Sequence, residues 1–546
     1  MLKRLRIAGL ALSLIVVSVA LSACGSSSSS KHGTVRAVTG TAPDFLDPSL
    51  GFSAQASELT WLSYLGLYTY AHKEGEAGTQ VIPALATALP KISADGRTYT
   101  VTLRKGLAYS NGARVKASDF AFAIGRSIKL NWGGKSFFTG NIVGGGAFDK
   151  GKAKTISGIR SDDRTGRITI HLNKPYGAFA NVLAFPSAGL LPAGTKMSNL
   201  SAHPPPGVGP YMITKVVPNH SYSLVRNPRW SKQKIDGIPQ GTVDVNVRVV
   251  SNTQTEAEQV LNNSADVFDW ADTIPPSLGA RIESQAKDRF KRASIPSNDF
   301  FFLNVKTKPF DNPIARQAVN IATDRRALSR LDSGNIAEDC FFLPKGIVGH
   351  PSSPCPYGDP KAAPDVAKAT QMIKDAGLAG AKVTVWGQTR SPRKEYVDYF
   401  TSVLNKIGFK ATPKIISDAQ YFPTVGNLKL NPQTGVANWS QDFPNPSDFY
   451  LLMDASSIQP QNNENFSQVD DPFIQKELAA LNEVPASKLS TVAQRWQKLD
   501  EYVAKKAYAV VFGYEESPVF MSTRIDFSSA VFHPVYGNDW STWKLK

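Results

Sequence analysis

The chain has 546 residues, is 42% hydrophobic and carries 28 Phe, 17 Tyr and 9 Trp, which excludes a disordered or fibrous protein and allows several packed domains. Its formal net charge of +16 is spread over scattered basic residues, in pairs such as Lys291-Arg292, Arg325-Arg326 and Lys505-Lys506. With no long basic run and no zinc-finger spacing, no nucleic-acid partner is expected, and a cationic exterior accounts for the charge.

At the N-terminus, Lys3, Arg4 and Arg6 precede an uncharged apolar stretch from Ile7 to Ala23, the pattern of a secretory signal. Those 17 residues include Gly9 and three serines, and are marginal for a span of about 30 Å of hydrocarbon. The tetrad Leu21-Ser22-Ala23-Cys24 resembles the lipobox of bacterial lipoproteins. This resemblance implies a signal peptide over 1–23 and a lipidated, palmitate-bearing Cys24. Such a lipid anchors a protein to the cell membrane without making it span one. Residues 24–33, with serines from Ser26 to Ser30, read as a flexible tether. The expected location is extracytoplasmic, at the cell surface or in the periplasm.

Val35 to Val38 reads as a strand leading into the turn Asp44-Phe45-Leu46-Asp47-Pro48. Leu59, Leu62, Leu65 and Tyr68 fall at helical spacing over 57–70. Thr98 to Leu103 and Ile168 to Leu172 alternate as strands after Asp95-Gly96 and Thr165-Gly166. Between them, Ser118-Asp119 is placed to cap a helix through Ile128, and Gly144-Gly145-Gly146 marks an exposed loop. Beyond Pro204-Pro205-Pro206-Gly207, Tyr211 to Val217 and Tyr222 to Val225 form a hairpin, and Val243 to Val250 alternates as a strand. From residue 300 the pattern turns α/β. Phe300 to Val305 is a buried-type strand, Asn312 and Pro313 open a helix through Ile321, and Asp324 caps another. Val366, Ala369 and Ile373 share a helical face that ends at Gly377. Val383 to Trp386, a helix carrying Val397, Phe400, Leu404 and Ile407, and Ala411 to Ile416 make a βαβ-like unit. A last helix bears Val492, Trp496, Leu499 and Val503, followed by the apolar strand Tyr508 to Phe512.

Motifs for catalysis are missing. None of the seven histidines stands in a two-His zinc motif, and no Gly-x-Ser-x-Gly elbow occurs. Asp266, Asp269 and Asp272 lack the glycine and distal Glu of a calcium loop. Gly133-Gly134-Lys135-Ser136 has Lys129 where a phosphate loop needs its first glycine. No enzyme, cofactor or metal is expected, and a secreted hydrolase is the remote alternative. Cys340 and Cys355 enclose 14 residues rich in Pro and Gly. In an oxidising compartment that spacing favours a disulfide closing a surface loop. The alternatives are a metal site with His350 as third ligand, or free thiols.

Laid end to end, these segments resemble the family 5 solute-binding proteins of ABC transporters, the dipeptide-, oligopeptide- and nickel-binding lipoproteins. The resemblance rests on Leu46-Asp47-Pro48, Gly66-Leu67, Pro83-Ala84-Leu85-Ala86 and Ser93-Ala94-Asp95-Gly96. It continues through Leu103-Arg104-Lys105-Gly106, Ser110-Asn111-Gly112 and Ala117-Ser118-Asp119-Phe120. Gly207-Val208-Gly209-Pro210-Tyr211 and Arg226-Asn227-Pro228-Arg229-Trp230 follow. Phe302-Leu303-Asn304, Pro309-Phe310-Asp311-Asn312, Arg316-Gln317-Ala318 and Thr323-Asp324-Arg325 complete it. It implies an α/β, two-lobed, periplasmic-binding-protein-like fold with a hinge and an extra subdomain on the first lobe. Lobe I would cover 34–296, with the extra subdomain at about 60–190. Lobe II would cover 297–513, and 514–546 would return to lobe I, with hinge strands near 296–302 and 510–516.

The resemblance also implies a function: a monomer that captures a short peptide and delivers it to ABC permease subunits. An oligosaccharide, an opine-like compound or a nickel chelate is the alternative solute. In peptide-binding relatives an Asp three residues after a Trp pairs with the peptide's α-amino group. Trp439-Ser440-Gln441-Asp442 matches, which makes Asp442 the amine receptor; the alternative is a turn-initiating carboxylate before Pro444. Phe52, Ser53 and Ala54, with Asn298 and Phe300, match backbone- and pocket-lining positions; ordinary core packing is the alternative for each. Val436 stands where some oligopeptide binders carry a basic residue, which leaves Arg393 or Lys394 as candidates for a ligand carboxylate.

Overall fold

The computed structural model describes residues 33–546 apart from 234, 390 and 462; the signal peptide, Cys24 and the serine tether lie outside the described residues. The first strand, Thr34–Thr39, pairs in parallel with Asp244–Val249, which pairs antiparallel with Ser221–Arg226, itself hydrogen-bonded to Tyr211–Val217. In Asp244–Val249 the period-two alternation works as expected: Val245 and Val247 are buried while Asn246 and Arg248 face water. A separate antiparallel sheet is ordered Lys91–Ile92, Thr98–Thr102, Arg167–His171, Ile159–Asp162. The helix Ser118–Lys129 sinks Phe120, Ala123, Ile124 and Ile128 into the same core.

The third sheet has seven strands. Its path runs Phe290–Ser294, Ala509–Phe520, Ser297–Leu303, Thr434–Ser440, Lys382–Gln388, Lys410–Ile416, with Ile336–Glu338 beside Ala509–Phe520. Lys382–Gln388 and Lys410–Ile416 are parallel neighbours joined through the helix Arg393–Lys406, the expected βαβ unit. The caps also fall where expected: Asn312 accepts from Ile314 N, and Asp324 accepts from Arg326 N and Ala327 N.

Two large hydrophobic cores result, and the chain is two-lobed. One core draws on residues between Val35 and Ile295 and again between Val519 and Trp543; the other runs from Phe300 to Phe512. The chain passes between them beside Ser294–Ser297, and along the strand Ala509–Phe520, whose two ends lie in different cores.

Several local expectations are corrected. Helical spacing over 57–70 yields only Ala54–Thr60, because the following backbone is taken by the segment around Gly207. Leu65 N donates to Val208 O and Tyr211 N to Leu62 O, and a Cβ on Gly207 or Gly209 would come within 2.4 Å of the Ser63 or Leu62 carbonyl. The expected exposed loop at Gly144-Gly145-Gly146 opens a short helix, Gly145–Asp149, in which Gly145 is buried. Neither Ser118 nor Asp119 caps the helix Ser118–Lys129: Asp119 accepts from Lys116 N and from Tyr109 Oη, which anchors the turn before it. The apolar strand expected at 508–512 runs on well beyond it, as Ala509–Phe520.

Cys340 and Cys355 are joined, with Cα atoms 6.0 Å apart. Their sulfurs are thereby unavailable as metal ligands, and His350 Nδ1 hydrogen-bonds to Leu343 O at 2.8 Å. Among the described residues no helix is long and apolar enough to cross a membrane.

Candidate ligand-binding cavity

Between the two cores lies a cavity of about 690 Å³. From the first core come Phe52, Ser53, Ala54, Trp132, Phe185, Trp270 and Tyr536, and from the second Arg393, Trp439, Ser440, Asp442, Glu464 and Phe466. Its size suits a small organic ligand, and eight aromatic side chains in its wall supply apolar and π surface.

The Phe52 side is held by a carboxylate in the preceding turn. Asp44 accepts from Phe52 N at 3.0 Å and from Ser53 N at 3.2 Å. Ser53 then caps the helix Ala54–Thr60 through Ala56 N, and Phe52 meets Trp132 edge-on at 5.4 Å. This places Phe52, Ser53 and Ala54 in the wall, as expected.

Opposite them, Thr434–Ser440 runs antiparallel to Ser297–Leu303, with Trp439 beside Asn298 and Ser440 beside Ser297. The chain then turns sharply. Asp448 holds that turn, accepting from Asp442 N at 2.7 Å and from Trp439 Nε1 at 3.3 Å, while Asn445 caps the helix Pro446–Tyr450. None of these bonds ends on the Asp442 carboxylate. Asp442 is half-buried in the cavity wall, and its Oδ2 has no hydrogen-bond partner. Burial, reinforced by Glu464, pushes its carboxyl up to about 8. Burial carries Glu464, in the same wall, up to about 7. Asp448 is held well above the usual carboxylate range by burial and by Asp442.

Asn298 and Phe300 do not line the cavity. The Asn298 amide donates to Phe342 O at 2.6 Å, and the Phe300 ring packs 5.4 Å from Phe342, inside the second core. Of the two carboxylate-partner candidates, Arg393 reaches the cavity, but its guanidinium already donates to Asp299 at 2.6 Å and to Glu515 at 3.3 Å. Lys394 pairs with Asp398 on the exposed side of its helix. Sequence reasoning did not find Glu464, Glu515, Trp132, Trp270 or Tyr536. Glu464 sits in the polar run Asn463-Glu464-Asn465-Phe466, which has no periodicity to mark it, and only the tertiary fold carries it to the wall.

The two halves also touch directly. Phe443, from the turn after Asp442, packs 5.6 Å from Phe137 and 6.0 Å from Phe185 of the first core. Gln441 donates from Nε2 to Pro534 O, and Gly177 N donates to Asn482 O at 2.8 Å.

The model of the bacterial extracellular solute-binding proteins, family 5 (middle), matches residues 80–461. The glutathione-binding protein GsiB of Salmonella choleraesuis (strain SC-B67) is 27% identical over 326 residues, 59% of this chain and 58% of that protein. The match thus spans little more than half the length of that relative. Among solved structures, clavulanic acid biosynthesis oligopeptide binding protein 2 superposes with a TM-score of 0.85 at 21% identity, over 94% of this chain and 95% of that one. The periplasmic binding protein DppA from Helicobacter pylori, in complex with the peptide STSA, superposes with a TM-score of 0.73 at 21% identity, over 94% and 98%. At such identities the likeness establishes the fold.

Proposed function

Because the chain belongs to family 5 of the bacterial extracellular solute-binding proteins, a family of binders and not of enzymes, we propose that its cavity captures short peptides for an ABC importer. The peptide's α-ammonium pairs with Asp442, the aromatic wall takes side chains of varied shape, and the two lobes close on the ligand by a hinge at residues 296–302 and 510–516. In the same reading, lobe I is 34–296 with its subdomain, lobe II is 297–513, and 514–546 completes lobe I. A lipid on Cys24 holds the monomer to the outer face of the membrane.

The observation that carries this reading is the Asp442 carboxylate: half-buried in the wall, free of any structural hydrogen bond, and without a cation of its own. An unpaired carboxylate in a desolvated cavity is costly, and a ligand ammonium relieves that cost with a charge-assisted bond. Eight aromatic side chains favour an oligosaccharide as the second reading.

Calorimetry decides between them. Di- to pentapeptides with a free amine should bind the wild-type protein, N-acetylated versions should not, and Asp442→Ala should lose at least about 30-fold in affinity, as expected for a buried charge pair. Unchanged peptide affinity in Asp442→Ala would remove the amine receptor. A melting-temperature shift with oligosaccharides and with no peptide would defeat the peptide reading. Glutathione, named in the matched curated relative, belongs in the same screen.

A further inference from the structure

Among the described residues, the charges and acceptors of the cavity wall do not balance. Four charged residues stand in it: Arg393, Asp442, Glu464 and Glu515. Arg393 is consumed internally by Glu515 and by Asp299 behind it. Asp442 and Glu464 remain, and no ion pair compensates either of them among the described residues. The groups that face Asp442 bring no positive charge: Asp448 is another acid, and Tyr70, Tyr176 and Tyr536 are phenols.

A second, independent feature has the same polarity. The buried side chains of Asn463 and Gln441 line the cavity, and each spends its amide NH₂ on a backbone carbonyl, of Asn465 and Pro534 respectively. That orientation leaves Asn463 Oδ1 and Gln441 Oε1 buried with no donor, like Asp442 Oδ2. Buried acceptors of this kind normally have partners. The wall therefore presents acceptors and negative charge and asks for N–H donors and positive charge.

We infer that the cavity is built for a ligand end bearing two cations, an α-ammonium at Asp442 and a second cation at Glu464, as in a peptide that begins with arginine. A guanidinium suits the second place best: it brings five donors, keeps its charge at any physiological pH, and stacks on aromatic faces, which Trp439 and Phe466 supply in the same wall. Among the described wall residues the one cation, Arg393, is already paired with Asp299 and Glu515. This inference rests on the peptide-capture reading for the form of the ligand, but not for the charge at Glu464.

Binding is then linked to protons. With the two carboxyls raised to about 8 and about 7, the empty cavity holds protons at neutral pH that a cationic ligand displaces. Affinity falls as the pH drops through those values, and it falls again above about pH 8, where the free α-amine loses its own proton, so binding peaks at mildly alkaline pH.

The test is calorimetry on the purified full chain with four probes: Arg-Ala-Ala amide, its neutral isostere citrulline-Ala-Ala amide, Ala-Ala-Ala, and agmatine, a non-peptide dication. The arginyl peptide should bind on the order of 10-fold tighter than the citrullyl one and release protons, seen as a dependence of the heat on buffer ionisation enthalpy. Glu464→Gln should erase that preference, and Glu464→Asp, which keeps the charge, should retain it. Equal affinity for arginyl and citrullyl peptides, or a preference that survives Glu464→Gln, overturns the inference and leaves peptide capture standing. If agmatine binds in a Glu464-dependent way while no peptide binds, peptide capture falls and the cation site stands.

Discussion

Asp266 shows how much one buried carboxylate can organise. Its oxygens accept from Arg36 N, Nε and Nη2 in the first strand, and from Ser522 Oγ and Arg524 Nη1 near the end of the chain. Burial by itself would raise its pKa, but the Arg36 fork, Ser522 and Arg524 outweigh burial and hold it below the usual carboxylate value. A depressed pKa contributes stability that is present above the unfolded value near 4 and lost as pH falls through the folded one. Asp266→Asn should therefore cost about 3 kcal/mol in urea unfolding at pH 7, at the low end for a broken buried pair because both arginines are two-fifths exposed. The difference from wild type should shrink below about pH 4. The sequence showed Asp266 only as one of three acids spaced three apart, a pattern that says nothing of partners 230 and 258 positions away. Asp47 is a different case. It was noticed through Leu46-Asp47-Pro48, yet its role, a fully buried two-pronged pair with Arg126 at 2.6 and 2.7 Å, is a tertiary fact.

Among elements, those ruled by local chemistry were legible. Asn312-Pro313 and Asp324 cap the helices they were expected to cap, and the βαβ unit over 382–416 followed from alternation and helical spacing. Elements ruled by distant backbone were not. Leu59, Leu62 and Leu65 are all buried as a helical face would be, but Gly207 to Tyr211 takes the hydrogen bonds that would continue the helix. The loop closed by Cys340–Cys355 lends itself to a direct measurement. With a separation of 15 residues, the bridge should contribute about 3 kcal/mol by restricting the unfolded chain. Cys340→Ser with Cys355→Ser should lower the melting temperature by about 2–4 °C, the shift per kcal/mol being small in a large chain. Peptide affinity should be untouched, since neither cysteine lines the cavity.

For the whole molecule, the two-lobed architecture was legible through the order of its motifs, whereas the cavity was legible only in part. Phe52 to Ala54 and Trp439 to Asp442 stand in its wall, and each borders a turn that a carboxylate ties down. Glu464 and Tyr536 arrive there from segments with no local signal. Phe443 joins the lobes by packing among aromatic rings of the first core. Removing it should loosen the contact between the lobes and, on the proposed hinge closure, disfavour the closed form. Phe443→Ala is expected to weaken peptide binding about 10-fold, as a shift of the closed population would, and to enlarge the unliganded protein in small-angle scattering. No change in either measurement would make Phe443 ordinary packing.

The sheet that opens the chain has a consequence for how the protein is made. Its first strand depends on Asp266, which depends on Ser522 and Arg524, and the segment at Leu545 closes back on the residue before that strand, where a Cβ on Gly33 would collide with Leu545. Synthesis delivers those residues last, so the earliest-made half cannot finish its core until the final residues emerge. Contacts between such distant positions form slowly. Closure of the first core therefore waits on a meeting of segments as far apart in sequence as Gly33 and Leu545, and cannot be completed by either alone.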